Sequence, residues 1–231
     1  MQHEFIRLEC ISCGNHFDVP VYCGDRFCPV CSVTRRLRVR SRLEFLVKNV
    51  KAGSGYNFKH LTLTIKNQQH LSLMTAAIVK SFRQLRQTAS WKSHVKGGAF
   101  VIEITGDSSN WHVHLHIIIE SKYYKWADLL NLWKKLSTGQ GVYIQNIPRR
   151  EIIQYLTKYI SKTDTPPECR EAINDALRGT RLFQPFGSWY AINRLYVKPA
   201  TVCRKCKGTC FMISGEHSNL SDIRFWKEVP P

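Results

Sequence analysis

The run His112-Val113-His114-Leu115-His116-Ile117-Ile118-Ile119 permits little besides a β-strand. Side chains on a strand alternate faces, so His112, His114 and His116 project together while Val113, Leu115 and Ile117 pack on the other side. Such a strand needs a sheet whose apolar face is covered. A row of three imidazoles is costly to bury without partners, whereas a divalent metal needs neutral imidazoles on rigid structure. The alternation therefore points to a metal-binding or catalytic face.

The flanking sequence supplies the rest of a sheet. Ala99 to Thr105 and Trp111 to Ile119 read as strands around the polar turn Asp107-Ser108-Ser109-Asn110, and a four-residue loop there sets Glu103 opposite His114 as an oxygen ligand. Phe58 to Ile65 alternates too, with His60, Thr62 and Thr64 on one face and Leu61, Leu63 and Ile65 on the other. Val142 to Ile147 and a segment opening at Gly187-Ser188-Trp189-Tyr190 are expected as further strands. Leu71, Met74, Ile78, Phe82 and Leu85 mark an amphipathic helix, and Trp126, Leu129, Leu130 and Trp133 begin another. The mixture predicts an α+β fold, a central antiparallel sheet with flanking helices.

From Glu151 to Lys162 a helical wheel separates Glu151, Tyr155, Lys158, Tyr159 and Lys162 on one arc from Ile152, Ile153, Leu156 and Ile160 on another. The apolar arc is expected to dock on the sheet and the polar arc to stay accessible. A phenol titrates at about 10, so it attacks poorly at neutral pH unless cations or a metal stabilise the phenolate. Lys158 and Lys162 are placed to do this, or to neutralise charge developing on a phosphodiester. Alone, this arc fits an ordinary helix rim equally well.

Cys10-x2-Cys13 and Cys28-x2-Cys31 have the spacing that sets four thiolates around one Zn²⁺, with Cys23 able to replace Cys10. Residues 1–33 thus read as a zinc ribbon and residues 34–200 as the main domain. Cys203, Cys206 and Cys210 suggest a second knuckle within residues 201–231, which His217, Cys169 or Cys23 would complete. With no apolar leader after Met1 and no run long enough to span a membrane, a reducing, cytoplasmic setting is expected. Lys and Arg number 34 against 17 Asp and Glu, a net charge of +17, which draws polyanions and makes nucleic acid the expected partner. Arg35, Arg36, Arg38, Arg40 and Arg42 crowd the start of a helix carrying Val39, Leu43, Leu46, Val47 and Val50, as phosphate contacts or as a solvated face.

Taken in order, three segments resemble motifs of the rolling-circle replication initiators, plasmid and phage type, of the His-hydrophobic-His (HUH) endonuclease superfamily. Leu61-Thr62-Leu63-Thr64 resembles the first motif, His114 to Ile119 the metal motif, and Tyr155-x3-Tyr159-x2-Lys162 the nucleophile motif. Cys23-x4-Cys28-Pro29-x-Cys31 and Arg181-Leu182-Phe183 leading into Phe186-Gly187-Ser188-Trp189 also resemble plasmid-type members, so the likeness runs from about residue 10 to about 190.

The resemblance implies an α+β palm with the histidines on a middle strand and the tyrosines on a helix beside them. It implies that Tyr155 attacks single-stranded or hairpin origin DNA, leaving a 5′-phosphotyrosine link and a free 3′-hydroxyl. Mg²⁺ or Mn²⁺ would sit on His114, His116 and Glu103, with His112 a further ligand or outer partner. Tyr159 would then rejoin strands, or Glu151 would activate a water that releases the protein. Gly53-Ser54-Gly55 lacks the Lys-Ser/Thr of a phosphate-binding loop, so unwinding and synthesis fall to a host helicase and polymerase. No residue pattern sets the oligomeric state. A histidine-triad nucleotide hydrolase or transferase shares the histidine alternation, but leaves the tyrosine helix unexplained. A non-enzymatic zinc-ribbon nucleic-acid-binding regulator accounts for charge and cysteines, but not for the tyrosine pair.

Overall fold

The computed structural model describes residues 4–160, 165–181, 183–198, 201–209 and 211–213. Along the chain run β1 (Phe5–Cys10), β2 (His16–Pro20), α1 (Pro29–Asn49), β3 (Asn57–Ile65), α2 (Leu71–Gln87) and α3 (Ala89–His94). Then come β4 (Val95–Asp107), β5 (Asn110–Ser121), α4 (Trp126–Leu136), β6 (Gly139–Asn146) and α5 (Ile152–Ile160). The last described elements are α6 (Arg170–Ala176), β7 (Gln184–Gly187), α7 (Ser188–Asn193) and β8 (Phe211–Ile213). The chain forms two compact units, Arg36–Tyr196 and a smaller one from Met1–Arg35 with Val197–Pro231. Among the described residues no helix is long and apolar enough to cross a membrane.

The larger unit is a five-stranded antiparallel sheet in the order β6-β3-β5-β4-β7 with helices against it, as the α+β reading expects. On one face Leu61, Leu63, Leu115 and Ile117 are fully buried, and α2 covers that side with Met74, Ile78, Phe82 and Leu85. Phe82 meets Phe100 and Phe186 edge to face at 5.1 and 5.5 Å. The opposite face joins Ala99, Val101 and Ile118 to Val39, Leu43, Leu46 and Val47 of α1 and to Ile152 and Leu156 of α5. Each fully buried aliphatic side chain contributes about 1.5–3 kcal/mol. Both faces of β5 are thus covered, and its His116 lies under α5, against Tyr155 and Tyr159.

The β4–β5 hairpin turns on Ser108 and Ser109, with Asp107 paired to Asn110, so its tip is tighter than a four-residue loop but keeps the same register. Gly106 adopts φ +91°, and a Cβ there would collide with the Asn110 carbonyl oxygen, while Asp107 Oδ1 accepts from the Ser109 amide at 2.9 Å. Gly106→Ala should therefore cost about 1–3 kcal/mol in urea unfolding. An unchanged midpoint and slope would contradict this account of the turn.

Two sequence expectations about elements are corrected. Gly187-Ser188-Trp189-Tyr190 does not open a strand: β7 ends at Gly187 and α7 starts at Ser188. Gly187 has φ +59°, and a Cβ there would strike the Lys96 carbonyl of β4, so glycine lets the chain leave the sheet edge and carry Trp189 into the core. α1 begins at Pro29, inside the stretch read as ribbon. Proline suits a first helical turn because its missing N–H needs no partner there, and the Cys31 amide donates to Cys28 Sγ at 3.4 Å.

The smaller unit has the antiparallel sheet β2-β1-β8. Residues 1–33 and 201–231, expected as separate modules, are thus joined by the pairing of β1 with β8. The thiols regroup accordingly: Cys10, Cys13, Cys203 and Cys206 lie together, and Cys23, Cys28 and Cys31 form another group. Long-range strand pairing, invisible in local spacing, separates Cys10 and Cys13 from the expected partners Cys28 and Cys31. Cys169 is buried in the larger unit and belongs to neither group. Lys162, Leu182, Cys210 and His217 lie outside the described residues.

Candidate functional site

Strand pairing assembles a polar patch on the α5 side of the sheet. His114 lies between Thr64 of β3 and Glu103 of β4, and His116 between Thr62 and Val101. Directly paired residues share a face, so His112, His114, His116, Glu103, Thr62 and Thr64 face the same way, joined by His60 opposite Ile118. His60 was not among the expected site residues, and Thr62 entered only as part of the Leu61-Thr62-Leu63-Thr64 motif. Their alternation was visible, but their place beside the histidine strand depends on the β3–β5 register, which local pattern does not disclose.

The tyrosines also turn toward this patch, contrary to the accessible arc predicted for them. Ile152, Tyr155, Leu156 and Tyr159 stand at i, i+3, i+4 and i+7, one helical stripe, so the face that docks carries both phenols. Tyr159 stacks on His116 with ring centroids 3.5 Å apart, and Tyr155 lies over His60 at 4.7 Å. The two phenol rings are 5.2 Å apart. His60 also meets Tyr143 of β6 at 5.1 Å, which extends the aromatic layer toward the sheet edge.

At the centre, His116 Nε2 and Glu103 Oε2 are 2.6 Å apart, and the two residues are only 7% and 8% exposed. The other ring nitrogen, Nδ1, lies 3.3 Å from the Tyr155 hydroxyl and 3.4 Å from Thr62 Oγ1. With Nε2–H donating to the carboxylate, Nδ1 is the acceptor that faces the phenol. Burial raises the Tyr155 pKa well above its ordinary value, with the Thr62 hydrogen bond opposing and Tyr159 and Glu103 reinforcing the rise. The phenol is therefore protonated at neutral pH.

His60 has a lowered pKa, first through burial and then through the charge of His116, and its Nε2 is buried without a hydrogen-bond partner. The unfolded chain thus takes up this proton more readily than the folded one. The stability contribution is full above the unfolded pKa of about 6.5 and is lost as pH falls through the lower folded value. His60→Phe, which keeps a ring against Tyr155, should lose less melting temperature than wild type between about pH 7.5 and about pH 5.5. Equal losses would contradict the assignment.

Other predicted site residues divide among separate tasks. Glu151 sits in the 3-10 turn ahead of α5, with Arg150 Nε 3.7 Å from its carboxylate. Lys158 is exposed, its ammonium 5.8 Å from the Tyr159 ring. Arg35 donates to the carbonyls of Arg26 and Asp25, Arg40 pairs with Glu44 at 2.8 Å, and half-buried Arg42 donates to Asn193 Oδ1 at 3.3 Å. Arg36 is exposed and Arg38 half-buried, so the five arginines do not form one solvated row. Among the described residues, groups of three or more His, Cys, Asp or Glu donor atoms within 4.8 Å of one another are the two cysteine groups. His114, His116 and Glu103 share a face without converging that closely.

The family model described as "Replication protein" matches residues 16–188. Similar curated proteins, each named "Protein rep", come from Bacillus sp (29% identical over 125 residues), Bacillus amyloliquefaciens (27% over 125) and Lactiplantibacillus plantarum (28% over 129). Each match covers 49% of this chain and 41%, 37% and 41% of the respective relative, so the chain spans well under half the length of these relatives. No solved structure gives a significant match.

Proposed function

The chain belongs to the replication protein family, that of the plasmid rolling-circle initiators, and we propose that it nicks single-stranded or hairpin origin DNA with Tyr155 as nucleophile. The observation that carries this reading is the Tyr155 hydroxyl held 3.3 Å from His116 Nδ1, whose Nε2 meets buried Glu103 at 2.6 Å. The antiparallel sheet with the tyrosine helix over its histidine strand also fits the HUH palm.

In the proposed reaction the Tyr155 oxygen bonds to phosphorus and the bond from phosphorus to the 3′ oxygen breaks. The phenolic proton passes to His116 Nδ1, oriented by Glu103, and the 3′ oxygen takes up a proton to become a free hydroxyl. The DNA 5′ end stays on the protein as a phosphotyrosine. Thr62 helps to fix the phenol oxygen.

His114, His116 and Glu103 would hold Mg²⁺ or Mn²⁺; with Nε2 on the ion His116 would carry its proton on Nδ1 and donate it to the Tyr155 oxygen, so in that state the phenolic proton leaves to water instead of to the imidazole. Two of the donor atoms are already in contact, and His114 is the direct cross-strand partner of Glu103, where Cβ atoms lie about 4.5–5.5 Å apart. A bound ion would polarise and orient the scissile phosphate. His112, one pair further along the hairpin, is an outer partner at most.

Tyr159 is the better placed second nucleophile, since its ring lies against both Tyr155 and His116 while Glu151 is exposed in the preceding turn. Tyr159→Phe should leave the first nick intact and lower strand rejoining by roughly tenfold or more. Equal loss of nicking and rejoining would reject that division. Host helicase and polymerase would act on the nicked strand.

The reading is tested by mixing the full chain with a randomised pool of single-stranded DNA labelled at the 3′ end, with Mn²⁺. Label should remain on the protein in denaturant, on Tyr155, and excess chelator should prevent it. An adduct on histidine would favour the histidine-triad chemistry, and tight binding without cleavage a non-enzymatic regulator.

A further inference from the structure

We propose that Cys10, Cys13, Cys203 and Cys206 hold one Zn²⁺ between two matching knuckles. Cys13 and Cys203 are 190 residues apart in the chain, yet their sulfurs are 3.6 Å apart, and those of Cys10 and Cys206 are 3.5 Å apart. All four sulfurs lie within 4.8 Å of one another. Four thiolates at about 2.3 Å from a tetrahedral zinc have sulfurs about 3.8 Å apart, so the cluster is close to the required size. The separations are far beyond the roughly 2.05 Å of a disulfide, and all four cysteines are free.

The backbone carries a second, independent argument, because the two knuckles repeat one hydrogen-bond pattern. The Cys10 amide donates to the Asn15 carbonyl at 2.8 Å, and the Cys203 amide to the Gly208 carbonyl at 2.8 Å, each five residues on. The Cys10 carbonyl accepts from the Gly14 amide at 2.8 Å, and the Cys203 carbonyl from the Lys207 amide at 2.9 Å, each four residues on. Gly14 has φ +67° and Lys207 φ +62°, in each case directly after the second cysteine of the pair. Among the described residues Lys207 is the one non-glycine residue with positive φ, a conformation a lysine adopts only when the surrounding geometry imposes it.

The sulfurs also receive donors from the protein. The Gly208 amide points to Cys206 Sγ at 3.4 Å and Asn15 Nδ2 to Cys203 Sγ at 3.8 Å. β1 ends at Cys10, which pairs with Phe211 of β8, so adjacent strands anchor the two knuckles. The described apolar core of this unit is little more than Leu8 and the buried cysteines, too small to fold on burial alone, and a shared ion would staple it. This site replaces the set of Cys10, Cys13, Cys28 and Cys31 expected from spacing. Cys23, Cys28 and Cys31 remain a separate three-sulfur group.

Zinc per chain, measured by elemental analysis of the purified full chain, tests the sharing. Cys13→Ser and Cys203→Ser should each lose one zinc, and the double variant should lose the same one. A double variant that loses two, or a Cys203→Ser chain with undiminished zinc, would overturn the proposal. A variant that misfolds could shed metal for trivial reasons, so thiol alkylation mapped along the wild-type chain supplies a second measurement. Chelation should expose Cys10, Cys13, Cys203 and Cys206 together, including Cys206, which is sterically exposed. Release of the 10–13 pair at a different rate from the 203–206 pair, or ready alkylation of all four before chelation, would count against a shared ion.

Discussion

Tyr155→Phe is expected to abolish the protein–DNA adduct, lowering nicking by at least about 10³-fold, since no other oxygen occupies the position of the attacking atom. The fold should survive. The phenyl ring keeps its place over His60, and removing a hydroxyl that makes hydrogen bonds to Thr62 and His116 should change stability by about 1 kcal/mol or less in either direction. Adduct yield on a denaturing gel, with urea unfolding beside it, separates lost chemistry from lost structure. A Phe variant that still retained label at this residue's normal rate would sink the assignment, and attention would move to Tyr159.

His116→Ala should fail on both measures. Its imidazole is 2.6 Å from a carboxylate that is itself almost completely buried, so truncation takes a close hydrogen-bond partner from Glu103 in a low-dielectric site. Breaking a buried pair on one side costs about 3–5 kcal/mol. The substitution also removes Nδ1 from the Tyr155 hydroxyl and the ring on which Tyr159 stacks. Nicking should fall by about 10³-fold or more. The double variant Glu103→Gln/His116→Asn, which buries two neutral amides instead of a carboxylate deprived of its imidazole, should recover part of the stability and none of the nicking. His112→Ala should match wild type in both within about twofold in rate and about 1 kcal/mol. If His112→Ala were as damaging as His116→Ala, the division of labour along the strand would be wrong.

The β-strands and amphipathic helices of the larger unit were legible because hydrophobic periodicity is a local property. β5 was read from its alternating histidines, and the β4–β5 register from the length of one turn, because either a two- or a four-residue tip pairs Glu103 with His114. Other readings failed where a local pattern admits two answers. Gly187-Ser188-Trp189-Tyr190 has strand-forming residues, yet the positive φ of Gly187 and the burial of Trp189 make it a sheet exit. The tyrosine helix was divided into two arcs by polarity, but a phenol is mostly apolar surface. Tyr155 and Tyr159 therefore join Ile152 and Leu156 in docking.

What the sequence by itself determined were the chemical groups and their local order: three imidazoles on one strand face, two phenols a helical turn apart, and three short-spaced groups of cysteines. Side-chain type and strand or helix period are written residue by residue, so they could be read directly. Only the tertiary structure decided which groups meet. The β3–β5 pairing brought His60 and Thr62 to the site, the docking of α5 laid Tyr155 against His116, and the pairing of β1 with β8 set Cys203 and Cys206 beside Cys10 and Cys13. Each of these contacts joins residues distant in sequence. Their formation depends on the free energy of burying whole faces together, which no window of local spacing contains.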